Sequence, residues 1–231
     1  MIIRIFFFMA LTWMSMPFLS AQNLPRQFSF GPFMSLKSGA NGGAFQDGRK
    51  SSLTFNGIPD FGFTLYMPTS QTGPLGVSFD LGYSSYSYNI QNTETLNPNN
   101  GTTYTSKFSY LALSPYFHIS YFQLGFCFGV PISGSSINDI KPKDMNPLAE
   151  FRIRGEYTVI SDAEASMNVF LVAGYMLTGV FKDYGYNDPL KDAIPAVPND
   201  NTTNRYNPRV VSVSLGVNYL FNMLSGNPVA E

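Results

Sequence analysis

Eight stretches of this chain alternate apolar and polar residues at period two, and beyond the N-terminal region no apolar run reaches the length of a membrane-spanning helix. Period two is the mark of a strand with two unlike faces. A chain built this way throughout folds as a sheet, and what matters is which face meets water. The stretch EFRIRGEY poses that question most sharply. Glu150, Arg152, Arg154 and Glu156 share one face, and Phe151, Ile153, Gly155 and Tyr157 share the other.

The first segment, QFSFGPFMSLK, sets Phe28, Phe30, Met34 and Leu36 on one face. DFGFTLYM sets Phe61, Phe63, Leu65 and Met67 opposite Asp60, Gly62, Thr64 and Tyr66. VSFDLGYSSYSYNI sets Val77, Phe79, Leu81 and Tyr83 opposite Ser78, Asp80, Gly82 and Ser84; its phase then slips near Ser85, which suggests a bulge. KFSYLALSPYFHI and QLGFCFGVPI alternate in the same way, with His118 and Cys127 on their polar faces. The sixth segment is EFRIRGEY with its flanks, about Leu148 to Val159. ASMNVFLVAGYML and RVVSVSLGVNYLF complete the set.

The connections alternate too. They are short after the second, fourth and sixth segments (PTSQTGPL, SYF, ISDAE) and long after the first, third, fifth and seventh. Eight strands joined in this way return both chain ends to one side. Short turns on one rim and long loops on the other are what a transmembrane β-barrel shows, and a soluble sandwich gives no reason for the pattern.

Composition agrees. Charged residues make up 13% of the chain and aromatic ones 16%, a charge-poor balance for a globular protein. The 14 basic and 15 acidic residues give a net charge of −1, which is no footprint for nucleic acid. Residues 1–21 have the layout of a secretory signal peptide: Arg4, an apolar run from Ile5 to Leu19, then Ser20 and Ala21. Residues 22–231 are expected to form a single barrel domain. Cys127 stands alone, so no intramolecular disulfide forms.

SYLALSPYFHISYFQLGFCFGVPISG, Ser109 to Gly134, resembles the OmpX/OmpA-type outer-membrane β-barrel family, in particular the porin-family barrels of Bacteroidetes-type bacteria. Tyr110, Leu111, Leu113 and Pro115 match that family's strand entering a tight turn. SLGVNYLF resembles the barrel-insertion signal of outer-membrane proteins, carried here by Ser214, Gly216, Tyr219 and Phe221; the chain departs from that pattern by continuing past Phe221 to Glu231. The resemblance implies an all-β, eight-stranded antiparallel up-and-down barrel in the outer membrane, with short periplasmic turns and long extracellular loops. Its implied partners are outer-membrane lipid and lipopolysaccharide, the barrel-assembly machinery during insertion, and an unidentified extracellular ligand of the loops.

In a barrel of eight strands the lumen is filled by side chains. The charged face of EFRIRGEY is then expected inside, where Arg152 and Arg154 meet Glu150, Glu156, Asp60 and Asp80, with Lys37 also inward. Lys107 and Arg209 share the outward phase and are candidates for contact with lipid A phosphates, ordinary rim charges being the equal alternative. Tyr83, Tyr86, Tyr88, Tyr104, Phe108 and Tyr175 fit interfacial aromatic girdles.

Catalytic chemistry is not expected. His118 is the sole histidine and falls at the turn end of its strand, where a structural role suits it. No zinc spacing, phosphate loop or dinucleotide fingerprint occurs, so neither metal nor cofactor is expected. The leading reading is an envelope barrel that acts through its loops. A narrow pore or small-amphiphile transport barrel, a soluble secreted lipocalin-like binder and an envelope enzyme are the alternatives.

Overall fold

The computed structural model describes residues 27–44, 48–55, 57–69, 75–93, 95–190 and 206–223. Residues 1–21, where a signal peptide is expected, and the chain beyond Met223 lie outside them. Eight long strands form an antiparallel sheet: β1 (Ser29–Asn41), β2 (Asp60–Pro68), β3 (Leu75–Asn92), β4 (Thr103–Ile119), β5 (Phe122–Ser135), β6 (Leu148–Ser161), β7 (Ala165–Met176) and β8 (Val210–Asn222). Each pairs with the next in sequence. β1 also pairs with β8, from Ser29↔Asn222 to Asn41↔Val210, which closes the ring. The all-β, eight-stranded, up-and-down barrel expected from the alternation is what the chain forms.

Local chemistry makes the short turns. Ser120 adopts φ 60 between Ile119 and Phe122. Asp162 Oδ1 accepts the amide hydrogens of Glu164 and Ala165 at 2.8 and 2.7 Å, so its side chain shapes the β6–β7 turn. Both ends of the ring, Ser29 and Asn222, lie at this turn end; the long connections gather at the other.

The two faces of the wall have opposite polarity. Outward positions of β4 from Leu111 to Ile119, and of β8 from Val211 to Phe221, carry apolar side chains. Their extent matches the roughly 9–11 residues a tilted strand needs to cross a bilayer. These side chains are bare to the surroundings: Phe63 is 64% exposed and Val130 67%. A contiguous apolar belt of this kind is unstable in water. On the inner face lie Ser35, Lys37, Asp60, Thr64, Ser78, Asp80, Ser114, Glu150, Arg152 and Arg154, all buried. Inward aromatic rings take up the space left by glycines. At Gly216 an added Cβ would lie 2.4 Å from Phe170 Cζ, and at Gly125 it would lie 2.5 Å from Tyr116 Cδ1.

β3 and β4 are the longest strands, at 18 and 17 residues. At about 3.3 Å per residue they run well past a hydrocarbon core roughly 30 Å thick, even when tilted. Beyond the belt their polarity exchanges. Tyr86, Tyr88, Ile90 and Phe108 face inward and are buried, while Ser109, Lys107, Thr105 and Thr103 face outward. The slip expected near Ser85 is therefore not a bulge: the β3–β4 ladder runs unbroken from Leu75↔Ile119 to Gln91↔Thr103. The strand keeps its phase and leaves the lipid, so apolar residues move to the inner face. Register shifts occur elsewhere, between Ser109 and Tyr110 against β5 and between Met167 and Asn168 against β6.

The same exchange corrects the aromatic girdle. Tyr175 and Tyr83 lie on the outer face, but Tyr86, Tyr88, Phe108 and Tyr104 point inward. They join Met145, Met176, Val180, Phe181, Tyr184 and Leu190 in an apolar cap that closes the loop end of the barrel.

Part of the long β1–β2 connection is wall, not loop. β2 starts at Asp60, which leaves the upper edges of β1 and β3 bare. Arg49–Ser52 pairs with Asn89–Asn92, and Thr54–Phe55 pairs with Ser38–Gly39, covering both edges.

Candidate functional site

The lumen brings Glu150, Arg152, Arg154, Glu156, Asp60 and Asp80 to the inner face. Arg152 Nε donates to Glu150 Oε2 at 2.7 Å. Arg154 Nη1 donates to Asp80 Oδ2 at 2.9 Å, and its Nη2 pairs with Glu156. One expected contact differs. Asp60 pairs with Lys37, at 2.5 Å, and not with either arginine. Lys37 sits on the adjacent strand, one diagonal step from Asp60, whose register partner on β1 is Ser35; β6 lies across the lumen. Ser84 Oγ links the two parts, lying 3.0 Å from Asp60 Oδ2 and 3.3 Å from Arg152 Nη2.

Every lumen carboxylate has further donors. Thr64 Oγ1 donates to Asp80 Oδ1 at 2.6 Å. Tyr86 OH donates to Glu150 Oε2 at 2.5 Å and Ser212 Oγ to Oε1 at 3.0 Å. Arg152 in turn donates to Ser114 Oγ and Tyr86 OH at 3.0 and 2.8 Å. Arg154 lies 3.8 Å from the Phe170 ring centroid. Charges taken out of water persist only when paired and hydrogen-bonded in this way. A cavity of mixed lining, bounded by Asp60, Asp80, Ser114 and Arg152 on one hand and Phe33 and Phe170 on the other, has a volume of about 20 Å³, room for about one water. The section at this level is filled by side chains.

Above the network the cap is fastened by a second buried ion pair that sequence reasoning missed. Arg49 Nη2 meets Asp188 Oδ2 at 2.7 Å, and Arg49 Nη1 donates to Tyr184 OH at 2.9 Å. It ties the β1–β2 connection to the β7–β8 connection. Burial opposes the Arg49 charge, but Tyr184 and Asp188 outweigh it and raise its pKa above the ordinary value. Burial, reinforced by Asp188, pushes the Tyr184 phenol well above its usual range. Asn207 adds a clamp, accepting from the Phe181 amide at 3.0 Å and donating to the Phe181 carbonyl at 2.6 Å. Nothing periodic marks Phe181, Tyr184 or Asp188 in sequence. Their one local signal is a cluster of aromatics inside a polar loop.

Lys107 and Arg209 are both exposed. They lie on β4 and just before β8, four strands apart around the ring, so they cannot share one ligand. Ser214 and Gly216 face the lumen, while Tyr219 and Phe221 face outward at the turn end. His118 is buried at the turn end, with Nε2 2.7 Å from Ser78 Oγ and its ring 5.0 Å from that of Tyr66. Cys127 is buried on the inner face of β5.

No family model matches the chain, and no curated protein matches it. Among solved structures it is similar to the outer membrane protein OprG from Pseudomonas aeruginosa, at 11% identity over 87% of this chain and 98% of that one, with a TM-score of 0.37. It is also similar to Ail, the attachment invasion locus protein of Yersinia pestis, solved in complex with the heparin analogue sucrose octasulfate. That match has 11% identity over 85% and 100% of the two chains, with a TM-score of 0.33. A third is the outer membrane protease OmpT from Escherichia coli, at 10% identity over 85% and 95%, with a TM-score of 0.33. The closed ring and apolar belt of this chain, and not these distant likenesses, define its class. It is a transmembrane β-barrel with a filled lumen.

Proposed function

We propose that this chain is an exported outer-membrane barrel that does its work by binding at its outer rim and loops, without catalysis or conduction. The observation that carries this reading is the filled section: buried ion pairs across the lumen, and an aromatic cap above them. A barrel closed at two levels offers solutes no path, which leaves its surface as the working part. The turn end then faces the periplasm and the loop end the exterior. Residues 1–21 direct export, and the strand carrying Ser214, Gly216, Tyr219 and Phe221 engages the assembly machinery during insertion.

Planar bilayers test this directly. Purified protein is expected to give no discrete conductance steps at neutral pH. Regular steps abolished by Arg152→Ala would overturn the reading in favour of a narrow pore lined by the network.

A further inference from the structure

We propose that the outer face of β3, β4 and β5, just above the belt, is a seat for one anionic glycolipid, with Lys107 as its phosphate anchor. The proposal rests on the membrane reading. Among the described residues Lys107 is the one charged side chain on the outward face of the eight strands. It is exposed, and among the described residues it makes no ion pair. Every charge within the lumen, by contrast, is neutralised by a protein partner except for the one acid in excess.

Its surroundings have a definite chemistry. Ser109 and Thr105 flank it on the same face, and Ser135 lies opposite it in the β5 ladder; Ser87, its register partner on β3, is buried and takes no part in this surface. Asn89 faces Thr105, whose Oγ1 donates to Asn89 Oδ1 at 2.7 Å. Hydroxyl and amide groups both donate and accept, as sugar hydroxyls do. Immediately below, Leu111 and Val130 pair across the ladder and are bare. From the belt outward the face runs aliphatic at Leu111 and Val130, hydroxyl at Ser109 and Ser133, cationic at Lys107, then hydroxyl and amide at Thr105 and Asn89. A phosphorylated, sugar-headed amphiphile brings acyl chains to the first of these levels and its phosphate and sugar hydroxyls to the others.

A second feature points the same way. The ladder shifts register between Ser109 and Tyr110, so that Val130 faces Leu111 while Ser133 faces Ser109. The residue inserted there turns Ser133 and Ser135 outward beside Lys107 and leaves Gly134 against the cap, where Phe108 and Met145 pack on it. Without the shift, glycine would occupy the outer face and the serines would point into an apolar core. Bulges re-aim side chains in this manner. Arg209 has no such surroundings: the outward residue that follows it on β8 is Val211.

The test uses the full chain folded into phosphatidylcholine vesicles containing either bisphosphorylated lipid A or phosphatidylglycerol. After extraction, the lipid retained by the barrel is counted by native mass spectrometry. Wild type is expected to retain lipid A in preference to phosphatidylglycerol. Lys107→Glu is expected to lower lipid A retention by about tenfold, the scale of one charge-assisted contact. The double variant Asn89→Ala, Thr105→Val is expected to lose the preference for the sugar headgroup while still holding anionic lipid. Lys143→Glu, at an exposed loop lysine, is expected to behave as wild type. Unchanged retention in Lys107→Glu, or equal retention of the two lipids by wild type, would overturn the seat. A chain that shows no heat-shifted folded band in either vesicle would overturn the membrane reading itself.

Discussion

Tyr86 donates to Glu150 across the barrel at 2.5 Å, and this contact joins the polar network of the lumen to the aromatic cap above it. Tyr86 is fully buried, packs edge-on against Tyr110 at 5.8 Å and carries Lys37 over its ring at 3.9 Å. One phenol thus belongs to both layers.

Removal of Glu150 is expected to be more damaging than removal of the Tyr86 hydroxyl. Glu150→Ala leaves Arg152 buried without its acid, a loss of about 3–5 kcal/mol. Tyr86→Phe removes one neutral donor and is expected to cost about 1–3 kcal/mol. Urea titrations that follow the folded band on gels would rank the two.

Arg154 holds two acids, Asp80 and Glu156. Arg154→Met is therefore expected to destabilise the barrel more than Asp80→Asn, which leaves Arg154 paired with Glu156. The double variant Arg154→Met, Asp80→Asn should recover part of the loss, because it removes one of the two stranded charges. A double-mutant cycle on the urea midpoints measures the recovery.

Gly216 is set by packing. A side chain there would meet Phe170 Cζ at 2.4 Å and Ser35 Cβ at 2.5 Å. Gly216→Val is expected to block folding in purified form, in vesicles without any assembly factor, and Phe170→Ala should restore part of it. Normal unassisted folding of Gly216→Val would mean that the glycine serves recognition during insertion instead.

The cap is expected to loosen in alkali. Folding raises the Tyr184 pKa above its unfolded value of about 10. The closed cap then binds the phenolic proton more tightly than the open one. Its stabilisation is complete below the unfolded value and is lost as pH climbs above it. Cleavage of the β7–β8 connection by proteinase K should rise above about pH 10. Tyr184→Phe should flatten that rise while leaving the Arg49–Asp188 pair intact.

Strand positions and faces were legible in the sequence because lipid on one side and a packed lumen on the other force alternation on every strand. The inward set of β6, from Glu150 to Glu156, follows from that alone. The partner of Asp60 does not. Choosing Lys37 over an arginine requires the β1–β2 register, which periodicity leaves open. The stretch from Ser85 to Ile90 departs from the expected bulge for a physical reason: polarity marks a face only while one side meets lipid, and above the belt the sign reverses. The cap was hidden because Phe181 and Tyr184 meet Phe108 and Arg49 across long sequence separations, from a connection with no period of its own.

The most direct measurement is cell fractionation followed by gel migration of the chain with and without boiling. A closed transmembrane barrel predicts recovery in the outer membrane and faster migration before boiling. Recovery in the soluble fraction, with no shift on boiling, would contradict it, because the belt from Leu111 to Ile119 would then have to be covered by protein.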